Sequence, residues 1–267
     1  MTCYNRVETT LRCLRSLFSQ TSPQSNNPTI FEVWLVDDAS PDGTGEKVKA
    51  AFPQVNVIRG PGNLYWCRGT RLAWDTAAAA KDYDGYLWLN DDVMLEPGAL
   101  KGLADDVAEV GDGTILVGAM RTESGEIAYG MGGGPDGKLR PNGRPQQARG
   151  SMSGNFVWVP RKVFRAIGPI YGGYSHGFGD YDYGWLADRH GIPRCLCSQV
   201  VGVCPQQPER YRHVSGQPLV VRLRTLFDRK GFPIRDNFIY QRRRKGVVFA
   251  TLSVLHVIWL RVVLGWE

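Results

Sequence analysis

The sequence contains no G-x-x-x-x-G-K-[ST] and no G-x-G-x-x-G; its nearest stretch, Gly60-Pro61-Gly62, stops short of the second pattern. The glycine cradle that presents backbone amides to nucleotide phosphates at a helix N-terminus is therefore missing, which argues against ATPases and dinucleotide enzymes. G-x-S-x-G is also absent, and with it the main support for a Ser-His-Asp hydrolase. Six cysteines, Cys3, Cys13, Cys67, Cys195, Cys197 and Cys204, match no zinc spacing. No stretch has the build of a secretory signal peptide, so reduced, buried thiols in a cytoplasmic protein are expected. Repeats and low-complexity tracts are lacking too; Ala77 to Ala80 is simply good helix interior.

What is present is an ordinary globular balance. Hydrophobic residues make up 43% of the 267 and charged residues 22%, enough apolar surface for one large α/β domain with an appendage. The net charge of +6 is unevenly spread. Residues 205–245 hold 11 Lys+Arg against 3 Asp+Glu, a balance of +8, whereas residues 1–204 hold 20 against 22, a balance of −2. The basic part suits an anionic partner. No nucleic-acid motif accompanies it, so the reading is an anionic membrane surface and no nucleic acid.

Apolar residues at Leu11, Leu14, Leu17 and Phe18 have helical spacing. Strand-like apolar runs follow at 31–36, 55–58, 86–89, 114–119 and 156–159, with helical segments at 68–81, from Pro97 to about 110, at 161–167 and from about 182 to 190. The order strand, helix, strand predicts an α/β fold on a mostly parallel sheet covered on both faces. Ligands of such sheets sit at the carboxyl ends of the strands. Two acidic turns fall there, Asp37-Asp38 and Asn90-Asp91-Asp92. Hard oxygen ligands on a short turn, with positions left for phosphate oxygens, are what a divalent ion bridging a diphosphate needs. Alone, the second turn reads equally as a solvated helix cap; two acid turns on one edge favour the ion site. Residues 130–150, rich in glycine and proline, read as a surface loop or hairpin.

Four motifs then occur in a telling order: Thr2-Cys3-Tyr4-Asn5-Arg6, Val36-Asp37-Asp38-Ala39-Ser40 with Asp42-Gly43-Thr44, Leu89-Asn90-Asp91-Asp92, and Gly177-Phe178-Gly179-Asp180-Tyr181-Asp182. Over residues 1–205 the chain resembles the family 2 glycosyltransferases of the GT-A fold. The resemblance implies a metal-dependent inverting transfer from a UDP- or dTDP-sugar to a glycan or lipid-linked acceptor in cell-surface polysaccharide synthesis. It implies that the first turn, with Thr2, Tyr4 and Asn5, flanks the nucleotide, and that Asp37 or Asp38 bonds the base. Asn63 and Arg71 fall where a helix approaches the nucleotide. Asn90, Asp91 and Asp92 take the D-x-D position, with Asp92 the main ligand to Mg²⁺ or Mn²⁺ and Asn90 in place of an acid. Asp180 stands at the general base, while Gly179 occupies the position of the family's preceding Glu. Gly154, Asn155, His176 and Asp182 fall on the acceptor side. Tyr171, Tyr174, His176 and Phe178 form either an aromatic platform for a sugar or loop packing. His213 resembles a late histidine near the metal.

Two departures stand out. The family's first strand should precede Thr2, where only Met1 stands, and a start placed inside the gene is the expectation. Residues 206–267 form a basic extension in which Gln241-Arg242-Arg243-Arg244-Lys245 precedes an apolar stretch at 247–266, interrupted by His256 and Arg261. That pattern predicts a helix lying on the inner face of the cell membrane, or else packed on the protein's own domain. The rivals to the main reading are a catalytically inactive scaffold, which Asn90 and Gly179 keep in play, and a sugar nucleotidyltransferase, which only Asn5-Arg6 supports.

Overall fold

The computed structural model describes residues 1–20, 31–133, 137–205, 216–230 and 233–265. Strands β1 (Thr2–Cys3), β2 (Trp34–Asp37) and β3 (Asn56–Arg59) form a parallel sheet in that order, with Thr2 opposite Val36 and Leu35 opposite Val57. Helices α1 (Val7–Phe18), α2 (Thr44–Ala51) and α3 (Tyr65–Ala80) connect and follow them.

The second sheet contains β4 (Gly85–Leu89), β5 (Met94–Leu95), β6 (Ile115–Arg121), β7 (Ile127–Tyr129), β8 (Gln146–Gln147), β9 (Phe156–Pro160) and β10 (Arg194–Val203). Its path is β4-β9-β6-β10-β5, with β7 on β6 and β8 on β10. Helices α4 (Ala99–Val110), α5 (Arg161–Ile167) and α6 (Gly179–Arg189) cover it. Parallel pairing holds in the first sheet and between β6 and β10, whereas the other pairs of the second sheet are antiparallel. The reason is that β9 returns alongside β4 after a long excursion instead of continuing the strand–helix alternation.

Side chains alternate across the second sheet as a strand's twofold period requires. Leu116 of β6 and Cys195 and Cys197 of β10 enter one core cluster with Leu14 of α1 and Leu103 of α4. Ile115, Val117 and Leu196 enter the other, with Trp74 of α3, Trp88 of β4 and Tyr183 of α6. All six cysteines are buried and free. Beside the short β1, a cavity of about 620 Å³ lies between β2 and β4, lined among others by Val33, Trp34, Trp74, Trp88 and Trp158.

The C-terminal part carries α7 (Leu219–Thr225), α8 (Ile234–Lys245), α9 (Val247–Ile258) and a π-helical continuation, Trp259–Leu264. Helix α8 is bolted to the loop before α6. The buried carboxylate of Asp236 accepts the Ser175 backbone N–H at 2.7 Å and its hydroxyl at 2.5 Å. Farther along α8, Tyr240 stacks on Phe178 with ring centroids 4.7 Å apart. Replacing Asp236 by alanine would leave two donors of Ser175 without an acceptor where water does not reach. We expect Asp236→Ala to lose about 2–3 kcal/mol of unfolding free energy in denaturant titration; a variant as stable as the parent would mean that α8 is not clamped here.

Candidate active site

Three turns meet at the carboxyl ends of β1, β2 and β4. The first is tied to the second through the Asn5 N–H on Ser40 Oγ at 2.9 Å, the Arg6 N–H on Thr44 Oγ1 at 3.4 Å and the Val7 N–H on Asp42 Oδ2 at 3.1 Å. The first is tied to the third by a single side chain. Arg6 Nη1 lies 3.2 Å from Asp91 Oδ1 and 3.0 Å from Asp92 Oδ2. Among the described residues four non-glycines have left-handed backbone, Asn5 (φ 53°), Ala39 (φ 57°), Tyr65 (φ 58°) and Phe178 (φ 67°), and all stand in these turns or at the entries of α3 and α6. Such conformations cost free energy and persist where surrounding bonds enforce them, which is common around functional sites.

The two acids after β2 have different partners. Asp38 Oδ1 accepts the Gly62 N–H at 2.8 Å, and its Oδ2 accepts the Leu64 and Tyr65 N–H groups at 2.7 and 3.2 Å. It thus shapes the loop entering α3, on which Asn63 is exposed. Asp37 Oδ1 accepts the Ser40 N–H at 3.1 Å, and its other oxygen lies against Gly45 at the start of α2. Tyr4 is exposed at the edge of the first turn. Thr2 instead packs its side chain on Gly69 of α3, and this close approach turns it away from a nucleotide role. Arg71 is likewise occupied, with Nε 2.6 Å from Asp75 and Nη1 donating to the Ile170 carbonyl at 3.1 Å, so it joins α3 to the 170–178 loop. Arg68, one turn earlier on α3, caps the Asn63 and Leu64 carbonyls of the loop that Asp38 shapes.

At the third turn, Asp91 is buried, accepts the Thr10 hydroxyl at 3.3 Å and has its carboxyl raised to about 6. Burial drives that rise; Arg6 opposes it and neighbouring Asp92 adds to it. Asp92 also meets Cys204 Sγ at 3.7 Å. The Asn90 amide oxygen accepts the Trp66 indole N–H at 2.7 Å, so it is held by α3. Among the described residues no group of three or more His, Cys, Asp or Glu side chains converges as a closed metal cage. The donor set nonetheless fits a hard cation that keeps water and phosphate oxygens as ligands, since such ions take one or two carboxylates. A guanidinium already sits between these two carboxylates. His213 lies outside the described residues.

Asp180 stands in the first turn of α6, half-buried, with Oδ2 accepting the Gly154 N–H at 3.0 Å and Oδ1 the Tyr181 N–H at 2.9 Å. Burial raises its carboxyl to about 6, against the pull of those amides. Trp66 connects this acid to the third turn: its indole holds Asn90 while its ring fills the space a side chain at Gly154 would need. Glycine at 154 therefore serves the close approach of Trp66. At Gly179 an added Cβ would lie 2.6 Å from Cys67 Sγ and 2.8 Å from Ile170 Cδ1, which leaves no room for the family's glutamate.

His176 is pushed down to about 4, chiefly by burial and then by Lys230 and Arg6, with Asp228 and Asp92 opposing. The 170–178 loop thus stands within electrostatic reach of Arg6 and Asp92. Asn155 does not reach outwards: its Nδ2 meets Cys204 Sγ at 3.4 Å and its carbonyl accepts the Asn90 N–H at 3.0 Å. Asp182 is buried and accepts the Tyr174 hydroxyl at 3.1 Å and Arg243 Nε at 3.1 and 3.2 Å, so it ties α6 to α8 and is not available to an acceptor. Of the four aromatic-loop residues, Tyr174 and Phe178 are loop packing against Tyr240, and Tyr171 is exposed beneath the Arg243 guanidinium, 4.0 Å from the ring centroid.

Strands that end in acid turns on one edge, with a separate carboxylate on a late helix, are the arrangement of a GT-A glycosyltransferase. The chain belongs to glycosyl transferase family 2, whose model matches residues 1–168; Asp180 and the C-terminal helices lie beyond the matched part. Comparison with curated protein sequences gives no match. Among solved structures, the Pyrobaculum calidifontis mannosyltransferase PcManGT in complex with GDP-Man and Mn²⁺ is 16% identical, with a TM-score of 0.57 over 97% of this chain and 68% of that one. S. aureus TarS 1-349 is 14% identical, with a TM-score of 0.58 over 98% of this chain and 79% of that one. GalNAc-T7 with UDP, GalNAc and Mn²⁺ is 14% identical, with a TM-score of 0.59 over 98% of this chain and 56% of that one. At these identities the likeness is one of fold.

Both raised carboxyls have a stability consequence. A carboxyl whose folded pKa of about 6 exceeds its ordinary 3.8 stabilises the fold fully below 3.8, and the contribution is lost as pH rises through 6. In Asp180→Asn the part due to Asp180 is absent. The melting temperature of this variant relative to the parent should therefore climb as pH is raised from about 4 to about 7; a constant difference across that range would mean that Asp180 titrates normally.

Proposed function

We propose that this glycosyltransferase is metal-dependent and inverting, moving a sugar from a UDP- or dTDP-sugar to a glycan or lipid-linked acceptor in cell-surface polysaccharide synthesis. The observation that carries the reading is the Asp180 carboxylate, aimed by two backbone amides, raised to about 6 and joined through Trp66 to the acid turn. At neutral pH such a group is largely ionised yet basic enough to accept a proton, the condition for a general base. The acceptor hydroxyl oxygen forms its bond to the anomeric carbon as the bond to the diphosphate oxygen breaks. Asp180 takes the hydroxyl proton, and the nucleoside diphosphate leaves on the opposite face, so the anomeric configuration inverts.

Asp92, with Asp91 behind it, would hold Mg²⁺ or Mn²⁺, which when bound supplies charge neutralisation to the departing diphosphate. Asp38 fixes the loop at 62–65 that would border the base, and Arg6 keeps the first and third turns together. The Mn²⁺ and nucleotides bound in PcManGT and GalNAc-T7 support a cation and a nucleotide-sugar donor here. We assign the enzyme to the cytoplasm, peripheral on the inner face of the membrane, on the strength of six free thiols and the basic C-terminal part.

Release of nucleoside diphosphate from UDP-, dTDP- and GDP-sugars, assayed with Mn²⁺ against EDTA, tests the metal and the donor together. EDTA and Asp92→Asn should each lower turnover by roughly a hundredfold or more; turnover indifferent to both would refute metal dependence, and release from GDP-sugars alone would refute the donor. In the same assay with acceptor present, Asp180→Asn should lose about 10²- to 10⁴-fold in turnover with donor affinity nearly unchanged. Full turnover by that variant would remove Asp180 from the base role.

A further inference from the structure

Helix α9, taken with its π-helical continuation, is built inside out. Its inward positions include Ala250, Ser253 and Arg261, with Ser253 Oγ on Asn237 Oδ1 of α8 at 3.0 Å and Arg261 Nη1 on the Thr225 carbonyl of α7 at 3.0 Å. Its outward positions are mostly apolar: Val248, Leu252, Leu255, Trp259 and Val263 are all exposed, Val248 by 71%, with Thr251 and His256 exposed among them. The arginine that breaks the apolar run in sequence is therefore folded inwards and satisfied by a carbonyl, which leaves His256, stacked on Trp259, as the one titratable side chain on the outer face. Short α7 extends that face with exposed Leu219, Val220 and Leu223, and Phe227 just beyond it is 68% exposed. Apolar surface of this extent on a soluble domain marks a partner site.

Length and composition would let residues Val247–Leu264 cross a bilayer. Both ends, however, are tied to the same folded body. The first half rests on α8 through Ser253, and the last turn is held by Arg261 on α7 and by Arg222 Nη1 on the Val262 carbonyl at 3.2 Å. A spanning helix would carry its far end about 27 Å from its start, across the bilayer and away from the domain. A helix tied at both ends lies along the domain surface.

Charge selects the partner. Residues 216–265 contain ten Arg+Lys and two Asp, and one of those, Asp236, is buried. Exposed Arg242, Arg244 and Lys245 stand at the head of α9, with Arg224, Arg229 and Lys230 around α7. A second copy of this face would bring like charges together, whereas an anionic leaflet supplies the opposite sign to the basic rim and hydrocarbon to the apolar centre. We propose that the outer face of α7 and α9 is a monotopic docking surface for an anionic bilayer, with the helix lying in the headgroup–acyl boundary. Helix α8 would then join the docked face to the 170–178 loop and α6 through Asp236 and Arg243. This rests on the glycosyltransferase reading in naming the acceptor class: a lipid-linked glycan presented at the leaflet surface.

The test is flotation of the full chain with vesicles of phosphatidylcholine alone or mixed with phosphatidylglycerol, alongside light scattering and metal-dependent donor hydrolysis. The parent should float with the mixed vesicles, less at high salt, and hardly with the neutral ones. Leu252→Asp with Leu255→Asp, both outward, and separately Arg242→Glu with Lys245→Glu, should each weaken partition by roughly tenfold or more while hydrolysis continues. Failure of the parent to float, or equal flotation by both variants, would overturn the proposal. So would a dimer that the leucine variant dissolves without any vesicle binding, since the face would then be a contact between copies. Hydrolysis is read separately, so a parent chain that hydrolyses donor without floating counts against the docking surface alone, and one that floats without hydrolysing counts against the catalytic reading alone.

Discussion

Two neighbouring carboxylates at the end of one strand repel each other, and the position of Arg6 between them is the constraint on which the site depends. Its guanidinium meets both Asp91 and Asp92, while its backbone N–H is held by Thr44 of α2. One residue thereby links the first, second and third turns. The left-handed backbone at Asn5 and Ala39 follows, because a chain that must turn back within these short links has few other conformations open to it. Burial makes the arrangement sensitive: the same desolvation that raises Asp91 also strengthens its attraction to any cation.

A second linkage runs from the other side. Asp236 receives two donors from Ser175, and Asp182 receives Tyr174 and Arg243. Helix α8 is thus fastened to both the loop before α6 and α6 itself, on either side of Asp180. The carboxylate that would do the chemistry sits between two buried acids whose work is mechanical. Sequence neighbours with identical side chains, Asp180 and Asp182, have separate fates because α-helical spacing points one at the Gly154 amide and the other at α8.

Much of this was legible in the residues. The strands at 34–37, 56–59, 85–89, 115–121 and 156–160 announce themselves as short apolar runs ended by turn residues, and their edges fall within a residue or three of expectation. β10 does not announce itself. Its alternation is carried by Cys195 and Cys197 against Leu196, and small thiols beside Ser198, Gln199 and Gly202 make a weak apolar pattern. Strand direction in the second sheet was equally hidden, since β4 finds its partner β9 some seventy residues on. The acid turns were visible as chemistry. What Thr2, Arg71, Asn155 and Asp182 do was not, because each is decided by a partner far along the chain: Gly69, Ile170, Cys204 and Arg243. The same holds for Trp66, whose indole N–H is a lone polar atom on a helix until Asn90 is brought to it.

Gly179 has a consequence for what can stand beside Asp180. A glutamate placed there would meet Cys67 and Ile170 at once, and the ring of Trp66 just beyond. The position is therefore closed to single substitutions: reopening it would require smaller side chains on α3 and in the 170–178 loop, and Trp66 would lose its seat beside Gly154. The packing that seats Trp66 and the absence of a side chain at 179 thus require each other, and Asp180 has no carboxylate beside it at position 179.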